Sequence, residues 1–412
     1  MNETTTITKD QRLRARAAKV VPGGMYGHLA AKSLPAGYPQ FFARGEGCRL
    51  WDVDGRRYLD FMCSWGPIIL GHKDPAVEEA AERQRREGDC LNGPSERMVE
   101  LAERLVETVP HADWAMFQKN GTDATTAAVT VARAGTGRRK VLVARGAYHG
   151  AAPWCTPSVV GVTAEDRAHI GHFEFNDVAS LEAAAEAARG DLAAILVSAF
   201  RHDLGRDQAL PDPAFARRAR ALCDAADAAL IVDDVRSGFR LSYGGSWETV
   251  GVRPDLAAWS KAIANGYALA VLTGNDRFRD AASRIFITGS FWMTAVPMAA
   301  ALATLGELRA RDGIAHMERM GTRLRDGLDR LAARHGIGIR QTGPVQLPLI
   351  LFDDDPAFEK GSLFSVEMLA RGVYVHPRHN MFLSLAHREA DIDEALAAAD
   401  EALAAVAARS GA

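Results

Sequence analysis

The sequence predicts an α/β protein whose core is a largely parallel sheet with helices on both faces. Three observations carry that reading. Short apolar runs of buried-strand type recur at Val141–Ala144, Ala194–Ala199 and Leu230–Asp233. Ala-rich helical segments lie between them. One such segment opens at Asp212-Pro213-Ala214-Phe215, with Asp212 as N-cap and Pro213 in the first turn, and leads through about Asp227 into the strand ending at Asp233. This strand–helix–strand rhythm builds parallel sheets. Ligands then bind beyond the C-terminal strand ends, where Asp233 sits.

The two ends of the chain have a different texture. Between Phe41 and Asp60 the pattern predicts short antiparallel strands, Arg49–Asp52 and Tyr58–Asp60, around an Asp54-Gly55 turn. The C-terminal part returns to long helices rich in Ala, Leu and Arg, with strand candidates near Gln346–Phe352 and Met381–Ala386. The expected organisation is an N-terminal segment (1–60) belonging to a small domain, a large α/β domain (61–300) and a C-terminal small domain (301–412). The small domain is thus an α+β unit made from both chain ends.

Composition narrows the function class. Of 412 residues, 48% are hydrophobic and 25% charged, which is ordinary for a globular protein and excludes a disordered or fibrous chain. No window approaches the ~18 consecutive apolar residues that span a bilayer. The net charge of −3 gives no basic field for nucleic acid or anionic membrane. The arginines at 12, 14 and 16 and at 217, 218 and 220 read as solvated helix faces. The five cysteines are widely spaced with no C-x-x-C, which argues against a disulfide framework or zinc ribbon and for a reducing compartment. The segment Met1–Asp10 is polar and lacks an apolar stretch, so a cytoplasmic location is expected.

Three motifs hold candidate chemistry. In Lys119-Asn120-Gly121-Thr122-Asp123-Ala124, Gly121 and Thr122 open a helix whose apolar face is Ala124, Ala127, Ala128, Val131 and Ala132. Its N-terminus is either a phosphate seat or a plain capped start. In Ile231-Val232-Asp233-Asp234-Val235-Arg236, two acids end a buried strand. They could hold a metal, partner a buried cation or cap a helix, and no His or third carboxylate is fixed nearby for a metal. In Trp259-Ser260-Lys261-Ala262, Lys261 stands in an otherwise uncharged stretch. It either snorkels at a domain edge or is a reactive amine. To react near pH 7, its charged form must be disfavoured by about 4 kcal/mol. Together the three motifs supply a phosphate cradle, an acid for a heteroaromatic nitrogen and an amine for an aldehyde. Pyridoxal 5′-phosphate has those three features.

At this point the sequence resembles the fold-type I, class III pyridoxal-phosphate aminotransferases, and in particular the glutamate-1-semialdehyde 2,1-aminomutases, over nearly its whole length. The matching segments are Pro22-Gly23-Gly24, Trp51-Asp52-Val53-Asp54-Gly55, Ser64-Trp65-Gly66-Pro67 through His72, Asn120 to Ala124, Tyr148-His149-Gly150, Asp233 to Arg240, Ser260-Lys261 and Pro297 to Ala300. The resemblance implies that Lys261 is the Schiff-base lysine and proton shuttle. It implies that Asp233 partners the pyridine nitrogen, with Val235 on one ring face and Tyr148 on the other, His149 beside it. Asn120, Gly121 and Thr122 match the phosphate loop. Ser290 falls where the family places a residue reaching the neighbouring subunit's phosphate, which implies a homodimer. Trp65 matches an aromatic of the substrate pocket.

The sequence also departs from the aminomutase pattern. The carboxylate-holding arginine after Pro-Gly-Gly is missing from Met25-Tyr26-Gly27-His28-Leu29-Ala30-Ala31. Phe200-Arg201-His202-Asp203 replaces a Glu-Pro, Arg236 replaces a Met or Gln, and Val375-His376-Pro377-Arg378-His379-Asn380 is unusually basic. Either His28, Arg201, His202, His376 and Arg378 read an anionic or polyhydroxylated substrate, or they pair among themselves and with Asp203. The leading expectation is an aminotransferase moving an amino group from a small-molecule donor to a carbonyl acceptor through a pyridoxamine phosphate form, with no nucleic-acid or membrane partner. An intramolecular aminomutase or an epimerase is the alternative on the same scaffold. A non-catalytic cofactor-binding regulator would need a degraded site, and a nucleotide-binding oxidoreductase would need a G-x-G-x-x-G that the chain lacks.

Overall fold

The computed structural model describes residues 7–410. Residues 1–6 of the polar N-terminal segment fall outside the description. The chain groups into two compact units: residues up to Trp65 with Leu70–Asp74 and Met317 onward, and Gly66–Ile69 with Pro75–His316.

The second unit contains a seven-stranded sheet. Its strand order is Trp114–Gln118, Ala270–Gly274, Leu256–Trp259, Ala229–Asp233, Leu192–Ser198, Lys140–Ala144, Ile170–Phe173. Only Ala270–Gly274 runs against its neighbours. The three strands expected from apolar runs all lie in its interior, with every residue of Leu192–Ser198 and Ala229–Asp233 buried. Successive residues feed opposite faces, as strand geometry requires. Val141, Val143, Leu196 and Ile231 pack with Ala127, Ala128 and Val131 of the helix Gly121–Thr136. Leu142, Ile195, Val197 and Leu230 pack with Leu181 of Val178–Ala187 and Phe215, Ala216 and Cys223 of Pro213–Ala226. Helices therefore cover both faces. Pro213–Ala226 begins as expected: the Asp212 carboxylate accepts the N–H groups of Ala214 (2.7 Å) and Phe215 (3.3 Å).

The first unit carries a four-stranded sheet, Phe42–Glu46, Arg49–Asp52, Arg57–Asp60 and Val373–Tyr374. The Asp54-Gly55 turn is present, held by the Asp52 carboxylate accepting from Asp54 and Arg56 N–H groups, each at 2.9 Å. Two C-terminal strand expectations need correction. In 346–352 only Ile350–Phe352 is a strand, paired with Ile339–Gln341. Met381–Ala386 is not a strand at all. Its successive N–H groups alternate between partners, Met381 to Pro348, Phe382 to Phe61 and Leu383 to Gln346. With no single neighbour, the segment is extended and buried but forms no ladder. Among the described residues, no helix is long and apolar enough to cross a membrane.

Candidate active site

The second unit gathers the predicted chemistry at the C-terminal ends of its central strands. Asp233 is the last residue of its strand and is 8% exposed. One carboxylate oxygen accepts the Val235 N–H at 3.1 Å and the other lies 2.7 Å from His149 Nδ1. A carboxylate here is the acceptor, so His149 donates from Nδ1. The His149 carbonyl in turn accepts the Thr125 hydroxyl of the Gly121–Thr136 helix at 2.7 Å. Asp233 is thus fixed from both sides. Its neighbour Asp234 serves the fold: it accepts Ser237 Oγ at 2.9 Å, the Ser246 N–H at 2.8 Å and the Ser246 hydroxyl. Of the readings open for this acid pair, metal binding has no support, since no group of three His, Cys, Asp or Glu placed to hold an ion occurs among the described residues.

Lys261 follows the adjacent strand, Leu256–Trp259, by two residues. Its backbone is left-handed at φ 50°, a conformation costing a non-glycine residue roughly 1–2 kcal/mol. Such strain is kept where surrounding structure demands it, often at functional sites. Part of the Lys261 surface stays accessible, yet desolvation by the enclosing protein holds its amine well below the ordinary lysine range. The Arg236 charge adds to this, and Asp233 opposes it. Arg236 is itself pulled down to about 10 by burial, so its guanidinium stays charged at neutral pH. Desolvation and the Arg236 charge both act in the direction a reactive amine requires.

The helix start offered as a phosphate seat carries a capping box. Gly121–Thr136 starts at the Asn120 N-cap, whose N–H donates to the Asp123 carboxylate at 2.8 Å. Thr122 Oγ1 accepts the Ala151 N–H at 3.1 Å. A Cβ on Gly121 would meet Val235 Cγ1 at 2.7 Å, and one on Gly150 would meet Thr122 Oγ1 at 2.5 Å. Both glycines are therefore sterically required, and Gly150 also has φ 128°.

These residues fit pyridoxal phosphate on three observations. The N-terminus of Gly121–Thr136 would suit a phosphate, the anchored Asp233 carboxylate would suit a protonated ring nitrogen, and an amine shifted toward its neutral form would suit an aldehyde. In addition, His149 Nε2 and Ser198 Oγ are buried without a protein partner among the described residues, and Ser198 pairs in register with Asp233.

The other expected residues are placed as follows. Tyr148 is 45% exposed beside the His149–Asp233 pair. Both Nε and Nη2 of Arg201 donate to the Asp207 carbonyl, at 3.2 and 3.1 Å, which ties this guanidinium to its own turn. His202 has its ring edge-on to Phe200 at 5.1 Å; burial, then Arg236 and Lys261, hold it well below the usual histidine range. Ser290 lies exposed between the exposed rings of Phe286 and Phe291. In the first unit, Trp65 meets the imidazoles of His28, His376 and His379 edge-on at 4.9, 5.5 and 4.9 Å. The Arg378 guanidinium lies over the Phe358 ring at 5.5 Å. Sequence reasoning named His149 without its bond to Asp233 and did not anticipate that the Arg236 charge acts on Lys261. Side-chain proximity across a sheet leaves no periodic signal, although an arginine in a buried strand-end turn was a usable hint.

Fold and site together define a pyridoxal-phosphate transferase of the mostly parallel α/β type. The chain belongs to the aminotransferase class-III family, whose model matches residues 33–403. It is 50% identical to the aminopentol aminotransferase of Sphingopyxis macrogoltabida, over 97% of this chain and 94% of that one. It is 34% identical to a glutamate-1-semialdehyde 2,1-aminomutase of Roseiflexus castenholzii, over 96% and 97% respectively. Among solved structures it is similar to the FumI protein of Sphingopyxis sp. MTA144 in its PLP internal aldimine form, at a TM-score of 0.97 and 50% identity, covering 98% of this chain and 97% of that one. The protein is a class III aminotransferase that uses pyridoxal phosphate.

Proposed function

We propose that Lys261 is the amine that binds the cofactor aldehyde and then carries the proton removed from the amino donor's Cα. The observation that carries this is the place of Lys261, two residues past the strand that pairs with the Asp233 strand and held in a left-handed backbone conformation; desolvation and the Arg236 charge lower its amine there. Desolvation shifts the amine toward its neutral form, the form that nucleophilic and base roles require. When bound, pyridoxal phosphate supplies an electron-withdrawing ring for the donor's Cα electrons. Asp233, oriented by His149 and the Val235 N–H, keeps a proton on the ring nitrogen. Tyr148 and Val235 would flank the ring. Asn120, Gly121 and Thr122 hold the phosphate with backbone N–H groups and a hydroxyl.

The donor is a small amine and the acceptor a small carbonyl compound. Transamination is favoured over isomerisation because the chain lacks an arginine in residues 25–31 and because its identity to the aminopentol aminotransferase exceeds that to the aminomutase. We place the protein in the cytoplasm as a homodimer. The five free cysteines agree with the former. Phe286 and Phe291, 96% and 66% exposed on either side of Ser290, agree with a partner subunit covering that loop.

Borohydride reduction of the yellow holoenzyme should fix the label on Lys261. Lys261→Ala should lower turnover by at least about 10⁴-fold, the scale at which a nucleophile and a general base are lost together. A variant as fast as the parent would refute the assignment.

A further inference from the structure

In the seven-stranded sheet, Leu192–Ser198 lies between Ala229–Asp233 and Lys140–Ala144. His149 follows Lys140–Ala144, so its imidazole reaches Asp233 across the end of the intervening strand. Ser198 is the last residue of that strand and pairs in register with Asp233. Leu196 and Ile231, two residues earlier on each strand, pack on the helix Gly121–Thr136. Side chains along a strand alternate with a period of two, so Ser198 and Asp233 leave the sheet on that helix-covered face as well. The same helix holds the His149 carbonyl through the Thr125 hydroxyl at 2.7 Å. Ser198 and His149 are therefore brought together beside the Asp233 carboxylate, all three within the second unit.

Both side chains are 3% exposed, and neither Ser198 Oγ nor His149 Nε2 has a protein partner among the described residues. Native interiors seldom leave buried polar atoms unmet. The two atoms are also complementary. With Nδ1 donating to Asp233, a neutral imidazole offers Nε2 as an acceptor, and a serine hydroxyl both donates and accepts. Buried groups of this kind that do not touch are joined by a shared internal water. Resting on the reading that Asp233 meets the cofactor's ring nitrogen, we propose that Ser198 is a positioning residue for the reaction: through one buried water its hydroxyl supplies the hydrogen bond that His149 Nε2 requires, which fixes the Nδ1–H tautomer and so holds the Asp233 carboxylate in place.

The test uses two substitutions of one shape: Ser198→Thr keeps the hydroxyl and Ser198→Val lacks it. Each apoenzyme is titrated with pyridoxal 5′-phosphate by absorbance. Ser198→Val should bind about tenfold more weakly than Ser198→Thr, the worth of one hydrogen bond, and Ser198→Thr should stay near the parent. In a His149→Phe background the difference should vanish, because the hydroxyl then has no imidazole to serve. A second readout needs no cofactor. In the two-bond proton–nitrogen correlation spectrum of the apoenzyme, the His149 signals are identified by their loss in His149→Phe. They should show a protonated Nδ1 and an accepting Nε2, and the Nε2 resonance should move in Ser198→Val and return in Ser198→Thr. Ser198→Ala takes the place of Ser198→Val in both comparisons, with the parent as reference, if the urea midpoint shows that the larger side chains upset the fold. Equal affinities for the variants with and without the hydroxyl, an Nε2 resonance indifferent to its loss, or an affinity difference that persists in His149→Phe would each overturn the proposal. Failure of the Asp233 reading would show separately, as parent-like cofactor affinity in Asp233→Asn with the Nε2 response to Ser198 intact.

Discussion

Asp233 ends its strand and Asp234 follows it, both buried, yet their surroundings differ. Asp234 is surrounded by donors from its own loop, Ser237 and Ser246. Burial pushes its carboxyl above the usual carboxylate range while those hydrogen bonds pull it back. Asp233 is held by Val235 and His149, and next to it are buried polar atoms, His149 Nε2 and Ser198 Oγ, with no protein partner among the described residues. One acid closes a network within the protein. The other, held by His149 and the Val235 N–H, is the one proposed to meet the cofactor. Adjacent, chemically identical side chains thus have different partners, one set from the loop that follows and the other from His149 and Val235.

The comparison can be broken most forcefully at Asp234. Asp234→Ala strips the acceptor from two hydroxyls and one buried N–H, and should destabilise the protein by about 3 kcal/mol. The urea unfolding midpoint measures this. Asp233→Asn should leave that midpoint nearly in place while abolishing most turnover. If the two substitutions behave alike, the division between the acids fails.

His149→Phe sharpens the same contrast. It removes the charge-assisted bond to Asp233, worth about 1.5–3 kcal/mol. The cost should appear as roughly 10- to 100-fold weaker cofactor binding, read by absorbance titration of the apoenzyme.

The smallest effect expected is on pH. The Arg236 charge helps hold the Lys261 amine low, so Arg236→Gln should let that amine take up a proton more readily. The fraction of neutral amine at a given pH then falls, and the midpoint for cofactor capture by the apoenzyme moves to higher pH. A shift of about one pH unit corresponds to 1.36 kcal/mol. A midpoint that stays put or moves down would show that Arg236 serves packing alone.

Much of this was readable from residue order. Apolar runs marked Leu192–Ser198 and Ala229–Asp233 because central parallel strands are buried on both faces. Asp212-Pro213 marked a helix start because capping is local chemistry. Gly121-Thr122 and Lys261 stood out as special residues in bland surroundings. Met381–Ala386 was misread because an apolar run reports burial and not pairing, and its N–H groups serve two different segments. Arg201 and His202 looked equivalent in the chain, yet one is tied to the Asp207 carbonyl and the other sits among the cations near Lys261.

What the sequence alone determined is whatever depends on neighbours along the chain: strand burial and helix starts. The tertiary structure decided what depends on meetings across the sheet. It put His149 on Asp233 across 84 positions, and it set Arg236 where its charge acts on Lys261. The reason is physical. Capping and periodicity act over a few residues, whereas desolvation and Coulomb forces act through space and ignore chain order.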